Sequence, residues 1–145
     1  MGRKKKPETL KKEREKLEKD IEVLEKVLNE KEEEIQFNKK IKKKQEIIKE
    51  DLMKQLENQE KYGKHFEDMV DDYIYFIEIK EKLQKDIKIN GIRYLNTSGN
   101  GFKSFKPNES IKNLTLINTQ MLKILQVLDL KEPEEDGSDE GDDLL

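Results

Sequence analysis

Between Glu8 and Tyr62 the chain holds neither glycine nor proline. Most residues in that stretch are strong helix formers, so helix is the only regular structure they suit. Leu10, Leu17 and Leu24 recur every seven residues, and Ile21, Leu28 and Ile35 do the same with an offset of four. That spacing is an a/d seam, with Ile or Leu at a and Leu at d, and it predicts a coiled coil. Arg14 and Lys31 also fall on the seam and make it imperfect. The phase slips near Phe37 and Asn38, after which Ile41, Ile48, Leu52 and Leu56 resume in another frame. Such a slip marks either a stutter within one helix or a reversal into a helical hairpin. Unbroken, the helix would run for roughly 80 Å at about 1.5 Å per residue.

Composition agrees with long helices that each bury one stripe. Charged residues make up 43% of the 145 and hydrophobic residues 32%, too few for a thick globular core. There is no cysteine, which excludes disulfides and thiolate metal sites. No apolar run follows the basic start, so no signal peptide and no membrane span are expected, and the chain reads as cytoplasmic.

The net charge of −3 hides an asymmetry. Residues 132–145 carry eight acids and no base; with those set aside, thirty bases face twenty-five acids. Three basic groups stand out. Arg3, Lys4, Lys5 and Lys6 form an arm over residues 1–7 that reads either as a phosphate contact or as a solubilising terminus. Lys39, Lys40, Lys42, Lys43 and Lys44 read either as a DNA contact or as a solvated face balanced by Glu32, Glu33 and Glu34. Arg93 and Lys103 flank a turn-rich segment, Asn96 to Gly101, interleaved with Tyr94, Phe102 and Phe105. A short irregular hairpin is expected there. It reads as a DNA-contacting or ring-lining loop, or as a loop pinned to the helices by its aromatics.

Residues 62–131 are the expected helical core. Gly63 suits a turn with positive φ, and Gly91 suits a helix stop. Between them Phe66, Met69, Tyr73, Phe76, Ile77, Leu83 and Ile87 make a broad stripe. Asn108 is placed to cap a last helix just after Pro107. Ile111, Leu114, Met121, Leu125 and Leu128 recur along that helix, with Asn118 expected on the same stripe and Leu122 adding breadth. The fold class is therefore all-α. A long helical region over residues 8–61, straight or folded back, leads to two helices joined by a loop or β-hairpin, then to a disordered acidic tail over residues 132–145.

No catalytic constellation emerges. Lys103 and Ser104 end a run resembling a phosphate-binding loop, but Thr97 and Phe102 stand where that pattern needs glycine. Asp68, Asp71 and Asp72 are the closest carboxylates and read as the outer face of a packed helix. His65 is the single histidine. No enzyme activity, cofactor or metal is expected.

The wording of the core adds a resemblance. Tyr62-Gly63-Lys64-His65-Phe66, Val70-Asp71-Asp72-Tyr73, Ile79-Lys80-Glu81-Lys82-Leu83, Asn108-Glu109-Ser110-Ile111 and Asn118-Thr119-Gln120-Met121-Leu122-Lys123 follow one another in this order. Over about half the chain, this series resembles the small subunit of the tailed-phage terminase. The resemblance implies a homo-oligomeric ring that recognises double-stranded phage DNA in the host cytoplasm and regulates the ATPase and nuclease of the large subunit. Phe66, Tyr73, Phe76, Ile77, Leu83, Met121, Leu122 and Leu125 would then be buried within or between subunits. The three basic groups would hold DNA, and the tail ending Asp142-Asp143-Leu144-Leu145 would dock the large subunit. The chain departs from many such proteins in one respect: no Gly-containing turn separates short helices before Tyr62, so an N-terminal helix-turn-helix reader is not expected. A coiled-coil scaffold or assembly adaptor without DNA affinity is the alternative; it accounts for the heptads but not for residues 62–131.

Overall fold

The computed structural model describes residues 2–130. The chain runs α1 (Pro7–Asn58), α2 (Lys64–Asn90), β1 (Arg93–Thr97), β2 (Lys103–Pro107) and α3 (Glu109–Leu128). The expected acidic tail lies outside the described residues. The described residues divide into two units, one up to Lys40 and one from Ile41 on.

The phase slip does not reverse the chain: α1 is one uninterrupted helix of 52 residues. It starts at proline, whose fixed φ suits a first helical position and whose missing N–H costs nothing there. The Lys6 carbonyl accepts from the amides of Thr9 and Leu10 at 3.0 and 3.1 Å. In the first unit every side chain on α1 is exposed except Phe37, which is half-buried. Leu10, Leu17, Ile21, Leu24, Leu28 and Ile35 all face solvent. The predicted seam therefore forms as a stripe, and no described residue covers it.

The second unit holds the core. The new apolar frame after Asn38 is the stripe that turns inward: Ile41, Leu52 and Leu56 are buried and Ile48 is half-buried. Lys44 pairs with Glu81, Gln45 Nε2 donates to the Ile74 carbonyl at 2.9 Å, and Lys49 pairs with Asp71 at 2.8 Å. As α1 numbers rise the partner numbers fall, so this part of α1 runs antiparallel to α2. Leu52, Leu56, Val70 and Leu128 form the buried centre, walled by Phe66, Met69, Tyr73, Ile124 and Leu125 among others. The core therefore begins at Ile41 rather than at residue 62, and the last turns of α1 belong to it.

Two further joints fix α3. Asn108 caps it: its Oδ1 accepts from the Ser110 amide at 3.0 Å. Asn108 Nδ2 donates to the Gly91 carbonyl at 2.9 Å and to Asp86 at 3.1 Å, and Ser110 Oγ donates to Asp86 at 2.6 Å. At the other end, Lys61 Nζ donates to the Leu128 carbonyl and, at 2.8 Å, to the Asp129 carbonyl. A cation on the last carbonyls of a helix also complements its dipole.

Gly91 acts as the expected stop, and Gly63 takes positive φ at the start of α2. Gly91 has φ of 77° and its N–H closes on the Ile87 carbonyl. Gly63 has φ of 140°, and an added Cβ would sit 2.8 Å from the His65 ring. The end of α1, however, is set three residues before Gly63. Glu60 takes φ of 56° and the Lys61 amide bonds the Leu56 carbonyl at 2.9 Å, a left-handed closure made without glycine.

Candidate interaction surfaces

β1 and β2 form a two-stranded antiparallel hairpin in the register Arg93↔Pro107, Leu95↔Phe105 and Thr97↔Lys103. Residues directly opposite share a face and alternate along each strand. One face therefore carries Arg93, Leu95, Thr97, Lys103 and Phe105, and the other carries Tyr94, Asn96, Ser104 and Lys106. The turn closes with Ser98 N–H to the Phe102 carbonyl at 2.8 Å and Gly101 N–H to the Ser98 carbonyl at 2.9 Å. Phe102 is 78% exposed and Phe105 is 73% exposed. The aromatics therefore do not pin the hairpin to the helices. An isolated two-stranded hairpin is marginal in water, and this one presents its apolar residues outward.

The expected DNA-contacting residues are not equivalent. Arg3 to Lys6 are exposed and precede the helix, with Lys5 paired to Glu13 at 2.8 Å. Lys39 and Lys40 are exposed on the first unit, and Lys42 and Lys43 on the second. None of these four forms an ion pair with another described residue. Lys44 is different, since its pair with Glu81 fastens α1 to α2. Arg93 and Lys103 sit on the same hairpin face, also without ion-pair partners among the described residues.

The expected interface residues divide as well. Ile77 and Met121 are buried inside the single chain, and Phe66, Tyr73, Phe76, Leu83 and Leu125 are half-buried there. Of that set only Leu122 is exposed, and Asn118 faces solvent rather than the apolar stripe. Asp142 to Leu145 lie outside the described residues.

A cleft not expected from the sequence lies where α1 turns into α2. It has a volume of ≈ 600 Å³. Its apolar part comes from Met53, Leu56, Tyr62 and Phe66. Its rim carries Glu50, Glu57 and Glu67 against Lys54 and Lys61. The cleft joins residues from two helices and a turn, so no local spacing announces it.

Among the described residues no group of three or more His, Asp or Glu side chains is placed to hold a metal ion. Asp68 and Asp72 are exposed and Asp71 is paired with Lys49. His65 lies against the Phe66 ring, centroids 4.1 Å apart. No helix among the described residues is long and apolar enough to cross a membrane. The Asp86 carboxyl is held below its usual range, chiefly by the Ser110 hydroxyl and then by the amides of Asn90 and Asn108.

Compared with protein-family models, curated proteins and solved structures, the chain matches none.

Proposed function

We propose that the chain is a homo-oligomeric DNA-packaging adaptor acting as a terminase small subunit. It gathers copies of itself as a ring, holds double-stranded phage DNA and presents it to a large subunit that carries the ATPase and nuclease. The observation that carries this reading is the uncovered heptad stripe from Leu10 to Ile35. Six large aliphatic side chains in solvent on one helix are unexplained in a lone chain and accounted for in an assembly. The series of motifs from Tyr62 to Lys123 supports the packaging role in particular.

DNA contact falls to the arm Arg3 to Lys6 and to Lys39, Lys40, Lys42 and Lys43. Single contacts of this kind are weak, but copies in one assembly add them by multivalency. Such binding reads charge and shape rather than base edges. The acidic tail, with Leu144 and Leu145 at its end, is the segment assigned to the large subunit. The work takes place in the bacterial cytoplasm.

The test is the salt dependence of binding to double-stranded DNA by wild type and by K42Q/K43Q. Each lost phosphate contact flattens the slope of log K against log salt by about 0.9, so the double variant should flatten it by nearly two for each chain that touches the duplex. Equal slopes, or no DNA binding at low salt, would favour the scaffold reading, in which the same stripe builds a rod without nucleic-acid affinity.

A further inference from the structure

Two unpartnered features of the second unit complement each other. The first is the hairpin, where Phe102 stands in solvent at the turn and Phe105 stands in solvent on the face of Arg93 and Lys103. No acidic residue occurs between Ile92 and Pro107. The second is the ≈ 600 Å³ cleft at the α1–α2 turn, apolar within and rimmed by Glu50, Glu57 and Glu67. Of the two rim lysines, Lys61 is committed to the carbonyl oxygens that end α3, which leaves Lys54 as the only uncommitted cation.

The hairpin cannot fill the cleft of its own chain. The cleft lies at the N-terminal end of α2 and the hairpin follows its C-terminal end. Twenty-seven residues of helix hold those ends about 40 Å apart, and Gly91 leads into β1 with one residue between. The partner must come from another molecule.

We propose that the hairpin of one copy docks in the α1–α2 cleft of the next copy, with Phe102 at its turn and Phe105 entering the apolar part and Arg93 and Lys103 meeting the glutamate rim. The volume lies within the range of pockets that enclose a small-molecule-sized group, which suits one or two phenyl rings. Aromatic anchors in a pocket with charges at the rim are the usual arrangement of a strong interface. A different patch is used on each side, so the contact is head-to-tail, and head-to-tail contacts form rings where the rotation per copy closes and open filaments where it does not. This deepens the proposed oligomer by naming its joint, and rests on that reading. It also moves Arg93 and Lys103 from the DNA-contacting set to the subunit interface.

The absence of cysteine makes the test direct. F102C and E57C are prepared singly and oxidised apart and mixed; the double variant F102C/E57C is oxidised alone. The mixture should yield cross-linked dimers that neither single variant gives, and the double variant a ladder ending at the native assembly. In parallel, the native mass of F102S/F105S is measured, with circular dichroism to confirm unchanged helix content; both positions are exposed, so the helices should stay folded. The proposal expects a fall to a smaller species. An unchanged native mass in F102S/F105S overturns it. So do cross-links within a single-cysteine sample as strong as in the mixture. The oligomer reading fails separately: a monomeric wild type refutes both, whereas an assembly that L17E/L24E dissolves and F102S/F105S leaves intact refutes only the hairpin joint.

Discussion

Replacing Leu24 by alanine separates a helix that stands alone from one that pairs. Leu24 is 62% exposed in the single chain. In a lone helix its removal forfeits little burial, and alanine has the higher helix propensity by a small margin. A monomer should therefore be unaffected or slightly stabilised. In a packed seam the remaining exposed surface is what association covers. Full burial of a leucine is worth about 1.5–3 kcal/mol, so roughly six-tenths of it gives about 1–2 kcal/mol per chain. The assay is thermal unfolding by circular dichroism over a wide range of protein concentration. An assembly linked to folding should melt higher as concentration rises, and L24A should melt below wild type at each concentration. If L24A melts at or above wild type throughout, the stripe is not a packed seam and the account of residues 1–40 is wrong.

Other changes act on the second unit. Leu56 is 2% exposed, so L56A should lower unfolding free energy by about 2–5 kcal/mol in a denaturant titration. N108A removes the cap of α3 together with the bond to the Gly91 carbonyl, and should cost about 1–2 kcal/mol in the same titration. E60G relieves a left-handed residue that has a side chain, and should raise stability by about 1 kcal/mol. Asp86 has a folded pKa below its unfolded one, so its contribution is present above the unfolded value of about 3.9 and lost as pH falls through the folded value. Wild type should thus lose stability relative to D86N as the pH is taken from neutrality to below about 4, read as converging melting temperatures.

Much of this fold was legible because its signals are local. The absence of Gly and Pro over residues 8–62 and the heptads of Leu10 to Ile35 describe α1. Gly91 and Asn108 name the end of one helix and the start of another, and the turn-formers from Asn96 to Gly101 announce the hairpin. What local signals did not reveal depends on which face meets which. The spacing of Ile41, Leu52 and Leu56 fits a stutter or a reversal equally, and their place in the core depends on α1 and α2 packing antiparallel through a contact no short window contains. Asn118 lay close enough to the apolar spacing to be placed on the stripe, but the rotation of α3 against α2 turns it outward. The aromatics of the hairpin gave no hint of their exposure, and the cleft, assembled from two helices and a turn, gave no sequence signal at all. Glu60 as the closing residue was hidden because glycine is the usual sign of that geometry and the nearest one, Gly63, serves the next helix instead.

The central claim is self-association into a closed assembly. Its most direct test is the native mass of the purified chain by light scattering in high salt, where charge-driven clustering is screened. The account predicts one discrete species of many copies of the 17.3 kDa chain, with a mass that does not drift as concentration changes. A species at the mass of a single chain would contradict the oligomer, and a dimer or trimer would contradict the ring and leave a coiled-coil adaptor in its place.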